Sequence, residues 1–530
     1  MALNGQSLLA DTDIGPVGDS MLNELVLGVY EPSQSPFHQA PALPAHPLNN
    51  VANTTAQLCG FTGDMDPYVL QHYQFNDNSE FVFSKLTVRQ VQQSEVPVQF
   101  LLSKKDSAQD DSTLSELGAI VPSQIGERLI NLFFRFIQPQ FPILSENSRP
   151  DPTSSPVHLL AAIYAIAQPF ATFDDHLSIE LVYTPPSAQT LLDMAQRGLY
   201  RAQAQPTISS IQTALVLLLQ LPTDSLVLDS PSKWSLLGTT VSMAQTLGLH
   251  LDSRCWNLPE PEIMLRRKLS WIVYSFDKWF AFSLGRPSHI SRDDWLVTEI
   301  SSQDMALEKE QTSIFAFEFS RLTTVLDMTL SRLYSIRATA ALSRDFRITF
   351  DTARPLLTEL AQWSLQGALA RDQGLAPLYM AYHAIKLLIL RTLLRPFNRT
   401  EVEFQHGESA EFEAAKTHIR QAAKLEIEAT LSRISSLEAV DYQAFWAPWY
   451  KTCFALITHL AFILAVTAYN RDQPPQEALG DPEYVASRKL LDRARETLRL
   501  HSRGLDIVRF ALLRIDAVFW MGWDKVLGFE

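Results

Sequence analysis

From about Ile125 onward, apolar residues recur three and four positions apart, the spacing of one face of a helix. Ser154 and Ser155 offer an N-cap and Pro156 suits a first helical position, so the pattern predicts a helix burying Leu159, Ile163, Ile166 and Phe170. Leu191, Ala195, Leu199 and Ala202 form a second stripe, and Thr207 or Ser209 caps a third helix carrying Ile211, Leu215 and Leu218. Further helices are expected across residues 312–341, 377–394, 411–437, 443–470 and 482–521. In the first of these, Phe315, Phe319, Leu322, Leu326, Leu330 and Leu333 keep the helical spacing. No repeat of fixed period appears, which argues against a solenoid. The expected fold class is all-α, a large irregular multi-helix domain over residues 118–530.

The chain before it reads differently. Residues 1–56 are rich in Pro, Gly, Asn and Ser and are expected to form a disordered tail, because they cannot bury enough surface to offset their ordering entropy. Within that tail, Met21–Glu31 mixes Leu, Val and Tyr with Glu, a composition suited to engaging coactivators. Residues 57–117 are expected to hold a short extended segment and a polar linker. Phe81–Phe83 and Val96–Leu102 read as strands or extended packing segments, and Lys104–Ser115 as the linker. Phe454–Tyr469 approaches the minimum length for a membrane span but carries His459, and is read as a buried core helix.

The sharpest punctuation lies between residues 233 and 290. Leu237, Val241, Ala244 and Gly248 share one face of a helix, and Gly248 stands where a left-handed C-cap is wanted. Pro259 and Pro261 open the next helix, which places Leu265, Leu269, Ile272, Phe276, Trp279 and Ser283 on one stripe widened by Trp271 and Phe280. Gly285-Arg286-Pro287 closes it: glycine supplies the positive φ, proline forbids continuation, and Arg286 sits where the helix dipole favours a cation. Arg266 and Asp277 are too far apart to pair, so each is expected to find partners on other helices. Architectural pairing is the bland account of these charges; an effector or partner surface is the functional one.

Composition narrows the chemistry. The 530 residues are 46% hydrophobic and 19% charged, with a net charge of −14 that repels a phosphate backbone. The densest basic cluster, Arg266-Arg267-Lys268, is embedded in an apolar helix. Cys59, Cys255 and Cys453 are widely spaced and odd in number, which suits a reducing compartment and makes neither a disulfide framework nor a zinc site. No His-Glu-x-x-His, Gly-x-Ser-x-Gly or Walker pattern is present. Asp174-Asp175 begins an aspartate-rich metal motif, but Ser178 and Val182 stand where further carboxylates are needed, so a turn or cap is the preferred reading. His158, His176, His250, His289, His383, His418, His459 and His501 are scattered without a carboxylate or cysteine at ligand spacing. The sequence is not expected to encode an enzyme.

Taken in order, Trp234, Gly238, Ala244, the Leu-Gly-Leu-His element holding Gly248 and His250, the pair Arg266 and Arg267, Trp271, Tyr274, Asp277, and then Gly285, Arg286 and Pro287 resemble the signature of the fungal-specific transcription factor domain. That domain is the helical middle region of fungal zinc-cluster regulators. Phe141–Leu144 and Leu159–Phe170 resemble its opening helices, while Ser270 stands where a second tryptophan is usual. The Gly60–Tyr68 block with Leu70 and Tyr73 is similar to the segment preceding this domain in nitrogen-catabolism co-regulators. The resemblance implies a nuclear transcription regulator without catalysis, whose signature residues are structural or regulatory. The paired-zinc module needs six cysteines, so the chain is expected to lack that DNA-binding head and its zinc, and to hold no other cofactor. Zinc would enter only with a cluster upstream of this sequence. DNA is then reached indirectly, through transcription factors or coactivators, with no membrane role. The resemblance leaves room for a dimer and for a small effector between helices. A helical scaffold outside transcription, and a helical metal enzyme using Asp174 and Asp175, are the competing readings.

Overall fold

Helices alternate with short turns through most of the chain in the computed structural model, which describes residues 46–48, 54–84, 86–104, 111–183, 185–221, 231–301, 304, 313–342, 344–366, 374–398, 408–469 and 480–523. All of these belong to one unit, Ala45–Glu530. The strands are β1 (Thr54–Leu58), β2 (Glu80–Phe83), β3 (Leu86–Gln92) and β4 (Val98–Lys104). The α-helices of seven or more residues are α1 (Asp111–Ile120), α2 (Ser123–Phe136), α3 (Val157–Ala167), α4 (Leu177–Tyr183), α5 (Ala188–Ala202), α6 (Ile208–Leu218), α7 (Pro231–Thr246) and α8 (Glu260–Leu284). They continue as α9 (Ser313–Thr329), α10 (Ile336–Leu342), α11 (Phe346–Gln366), α12 (Ala376–Leu394), α13 (Glu408–Ser435), α14 (Tyr450–Ala468), α15 (Pro482–His501) and α16 (Asp506–Met521). The fold is all-helical apart from the small sheet.

That sheet is antiparallel throughout, in the order β1-β4-β3-β2, with an irregularity between Gln90 and Gln92. The segments Phe81–Phe83 and Val96–Leu102 contribute to β2 and β4, whereas β1 and β3 carried too little alternation to be foreseen. Val98, Phe100 and Leu102 face a cluster that includes Leu48, Trp256, Leu258 and Ile263, so one face of the sheet packs onto the start of α8. Two boundaries shift. The expected tail ran to residue 56, yet Thr54 already opens β1 and Leu48 is buried. The expected linker gives way to α1 at Asp111. Residues 1–45, with the acidic-apolar segment Met21–Glu31, lie outside the described residues.

α8 is the organising element. The stripe widened by Trp271 and Phe280 was expected to touch more than one neighbouring helix, and it does: α7, α9 and α14 surround α8, so that nearly every side chain from Glu262 to Phe282 is buried. Its aromatic residues meet others at the centre of the core: Trp279 stacks on Phe319 at 5.1 Å, while Phe276 meets Phe141 edge-on at 5.4 Å and Trp449 at 5.2 Å. The Trp279 indole N–H donates to Thr323 Oγ1 at 2.9 Å, which satisfies the polar end of a fully buried ring. α14, apolar and long enough to cross a membrane, packs here against α12, α15 and α16, and Phe454, Leu456, Ile457, Leu460 and Leu464 are buried in the same core.

Two long predicted segments break. The stretch 312–341 forms α9, a π-helical turn at Leu330–Tyr334, and α10 after Ser335 leaves the helical region. The stretch 482–521 divides into α15 and α16 at Ser502–Leu505.

Candidate functional site

The charged signature residues gather toward the two ends of α8, while Ala244, Trp271 and Tyr274 lie in the core. At its C-terminal end Gly285 adopts φ +64°, and the Arg286 N–H reaches back to the Ala281 carbonyl at 3.0 Å, closing the helix. The chain then returns along the helix and is caught by Asp277, which is fully buried. The Asp277 carboxylate accepts from the His289 N–H at 2.9 Å, the Ile290 N–H at 3.1 Å and the Ser288 hydroxyl at 2.6 Å. Lys278, equally buried, donates to the Ile290 carbonyl at 2.6 Å and lies 3.2 Å from both Asp277 and Asp327. Burial would raise the Asp277 pKa, but the His289 hydrogen bond, the Lys278 charge and the Ser288 hydroxyl together hold it below the usual carboxylate value.

His289 sits in a slot built by the motif. Its Nδ1 is 3.1 Å from Asp277, and its ring lies against Trp234 with centroids 4.0 Å apart and the planes tilted by 32°. At Gly238 an added Cβ would lie 3.1 Å from Nε2, so the absence of a side chain leaves room for the imidazole. The Arg286 guanidinium lies over the same Trp234 ring, 5.6 Å from its centroid. Trp234, Gly238, Asp277 and Arg286, scattered over fifty residues of sequence, are therefore one constellation around a histidine that sequence spacing had set aside. The available signal was position: Ser288 and His289 directly follow Gly-Arg-Pro.

At the N-terminal end the arrangement is closed. Arg266, 2% exposed, donates to Glu262 Oε1 at 3.0 Å and to the Leu247 carbonyl at 2.8 Å, with its guanidinium 5.5 Å from the Trp256 ring centroid. Its carboxylate partner is thus one turn away on its own helix, not on another helix as expected. Asp277 departs from that expectation in the same way, taking the loop after its own helix and the neighbouring Lys278. Glu262 also accepts the Leu48 N–H at 3.1 Å. Arg267 forms a two-pronged contact with Asp304 at 2.7 and 2.8 Å and a third bond to Asp252 at 2.6 Å. Burial opposes its charge, but Asp304 and Asp252 more than offset it and raise the Arg267 pKa.

Gly248 ends α7 at φ +71°, and a Cβ there would lie 2.9 Å from Phe100 Cζ, so the glycine serves both the turn and the seating of the sheet. His250 is half-buried beside Trp295, its carbonyl accepts from the Leu296 N–H at 2.9 Å, and burial lowers its pKa. Ala244, Trp271 and Tyr274 are buried in the core. Ser270 accepts the Trp295 indole N–H at 3.1 Å, which gives the departure from the usual tryptophan a definite packing role. Pro287 is exposed in the turn that ends the helix.

Asp174 shows no ligand geometry. Arg128 bonds both its oxygens at 3.2 and 3.1 Å, and it accepts the His176 and Leu177 N–H groups at the start of α4. Burial raises its pKa less than those N–H groups and Arg128 lower it. Among the described residues no group of three or more His, Cys, Asp or Glu is placed to hold a metal ion. A cleft of about 170 Å³ at the start of α8, lined by Ser145, Glu260, Met264 and Lys268, is smaller than the roughly 300 Å³ where ligand pockets usually begin.

The charged motif residues thus fasten loops to one central helix. The chain matches the fungal specific transcription factor domain over residues 130–364, a span that contains the whole constellation. It is 25% identical over 480 residues to the uncharacterized transcriptional regulatory protein C25B8.11 of Schizosaccharomyces pombe, covering 87% of this chain and 68% of that protein. It is 32% identical over 188 residues to the transcriptional activator protein DAL81 of Saccharomyces cerevisiae, covering 34% and 19%. With the cutinase transcription factor 1 alpha of Fusarium vanettenii it shares 27% identity over 255 residues, covering 44% and 27%. The chain thus spans well under half of the last two. No solved structure matches it.

Proposed function

We propose that this chain acts in the nucleus as the body of a transcription regulator, working through partner proteins and without catalysis or a resident cofactor. The carrying observation is that Arg266, Arg267 and Asp277, three of the signature's four charges, are each engaged by groups of the fold itself. Their chemistry is that of positioning: they hold the turn after α8 and the sheet before it in fixed relation. The net charge of −14 adds a second argument, since it opposes direct contact with a phosphate backbone. The similarity to proteins named as a transcriptional activator and as a transcription factor points the same way.

The test is to fuse the full chain to a heterologous DNA-binding module and read a reporter. The reading expects output to change severalfold over the module alone. A folded, nuclear fusion that leaves the reporter at the level of the module alone, under rich and nitrogen-poor growth alike, would sink it.

A further inference from the structure

Large apolar side chains left exposed on the helical body are scattered, but in the sheet layer they gather. Phe61, Tyr68, Tyr73, Phe83 and Leu86 are all exposed, Phe83 at 65%. They are organised as well as exposed. Phe61 and Tyr68 meet with centroids 5.2 Å apart, and Tyr73 and Phe81 at 4.8 Å. The strand register places Phe81, Phe83 and Leu86 on the same side as Val88, which packs with Cys59 and Leu70 away from the helical core. This is the Gly60–Tyr73 block that resembled the co-regulator segment and that the α8 constellation does not use.

The strand edge itself is blunted. Although β2 is the outermost strand, the Asn76 N–H donates to the Glu80 carbonyl at 2.9 Å and Asn76 Oδ1 accepts the Glu80 N–H at 2.9 Å. Recognition through side chains is therefore favoured over addition of another strand. The charge is one-sided too. From Gly60 to Ser84 the sequence holds Asp64, Asp66, Asp77 and Glu80 and no lysine or arginine before Lys85. Glu80 is committed to Arg89, while Asp64 and Asp77 are exposed.

We propose that this outer face docks a short segment of a partner protein carrying large apolar side chains flanked by lysine or arginine. The aromatic rings supply the contact area and the aspartates select basic flanks. The inference rests on the reading that the chain works through partner proteins, and it names the surface.

The test is peptide display against the purified full chain, counter-selected on a Tyr68→Ser/Phe83→Asp variant. Enriched peptides are expected to combine apolar residues with net positive charge. Synthetic copies should bind the variant at least about tenfold more weakly and lose affinity as salt rises. An Asp64→Lys/Asp77→Lys variant, altered only at exposed polar positions, should weaken them too. Enrichment of neutral or acidic peptides, equal binding to the variants, or no enrichment would overturn the proposal. So would a wild-type dimer in sedimentation that Phe83→Asp dissolves, since the occupant would then be a second copy. Because this measures docking and not reporter output, it can fail while the transcriptional reading stands.

Discussion

The two ends of α8 bury charge to similar depth but for different ends. At the start, Arg266 and Arg267 are sealed between the sheet, the turn after α7 and Asp304, and what they fasten is interior. At the finish, Asp277 and Lys278 are buried too, yet the loop they hold carries His289 and Arg286 out toward solvent beside Trp234. The same device, a desolvated carboxylate with its donors supplied by nearby chain, makes a closed lock at one end and a fixed presentation at the other. A buried pair is poor evidence of net stabilisation, but removing one partner is reliably damaging, so both ends can be tested by single substitutions.

Asp277→Ala should have the largest effect. It removes the acceptor for three loop donors and leaves Asp327 as the carboxylate facing Lys278, so a loss of about 3–5 kcal/mol in urea unfolding is expected. Arg266→Met should lose about 3 kcal/mol, and adding Glu262→Gln should recover part of it, because the harm lies in the orphaned carboxylate. A double-variant loss equal to the sum of the two single losses would show that the pair is not coupled, and would erase the contrast between the ends. Gly248→Ala, with a positive φ and Phe100 in the way, is expected to lower stability by about 1–3 kcal/mol. Ser270→Ala leaves the buried Trp295 indole without its acceptor and should reduce stability by about 1 kcal/mol.

Acidification separates these groups from the histidines. Burial pushes His459 down to about 4, so the unfolded chain takes up protons first and stability falls as pH drops from about 6.5 toward 4. His250 and His501 are lowered as well and act in the same direction. Asp277, Asp252 and Asp304 also have depressed values, so their contribution is complete above the unfolded carboxylate value of about 4 and is lost only below it. Denaturation midpoints against pH should therefore decline in two stages, and His459→Gln should flatten the first alone.

Much of this end-to-end plan was legible in the residues. The α8 boundaries, with proline at the start and Gly285-Arg286-Pro287 at the stop, follow from local conformational rules and stand as read. Local rules could not supply the partners. Arg267 meets Asp304 across 37 positions, and the Arg266 guanidinium lies 5.8 Å from the ring centroid of Phe100 on the sheet, far away in sequence. α11 was missed where Pro355 interrupts its donor pattern, although the surrounding helices hold the segment helical. The His289 slot was invisible because two of its walls, Trp234 and Gly238, come from a different helix.

The most direct test of the account is to measure, for Asp277→Asn in the reporter fusion, both the unfolding transition and the transcriptional output. If the signature charges act by holding the fold, output should fall in step with the folded fraction and recover when the growth temperature is lowered. A variant that unfolds like the wild type yet gives no output would contradict this and make Asp277 a direct contact for a partner.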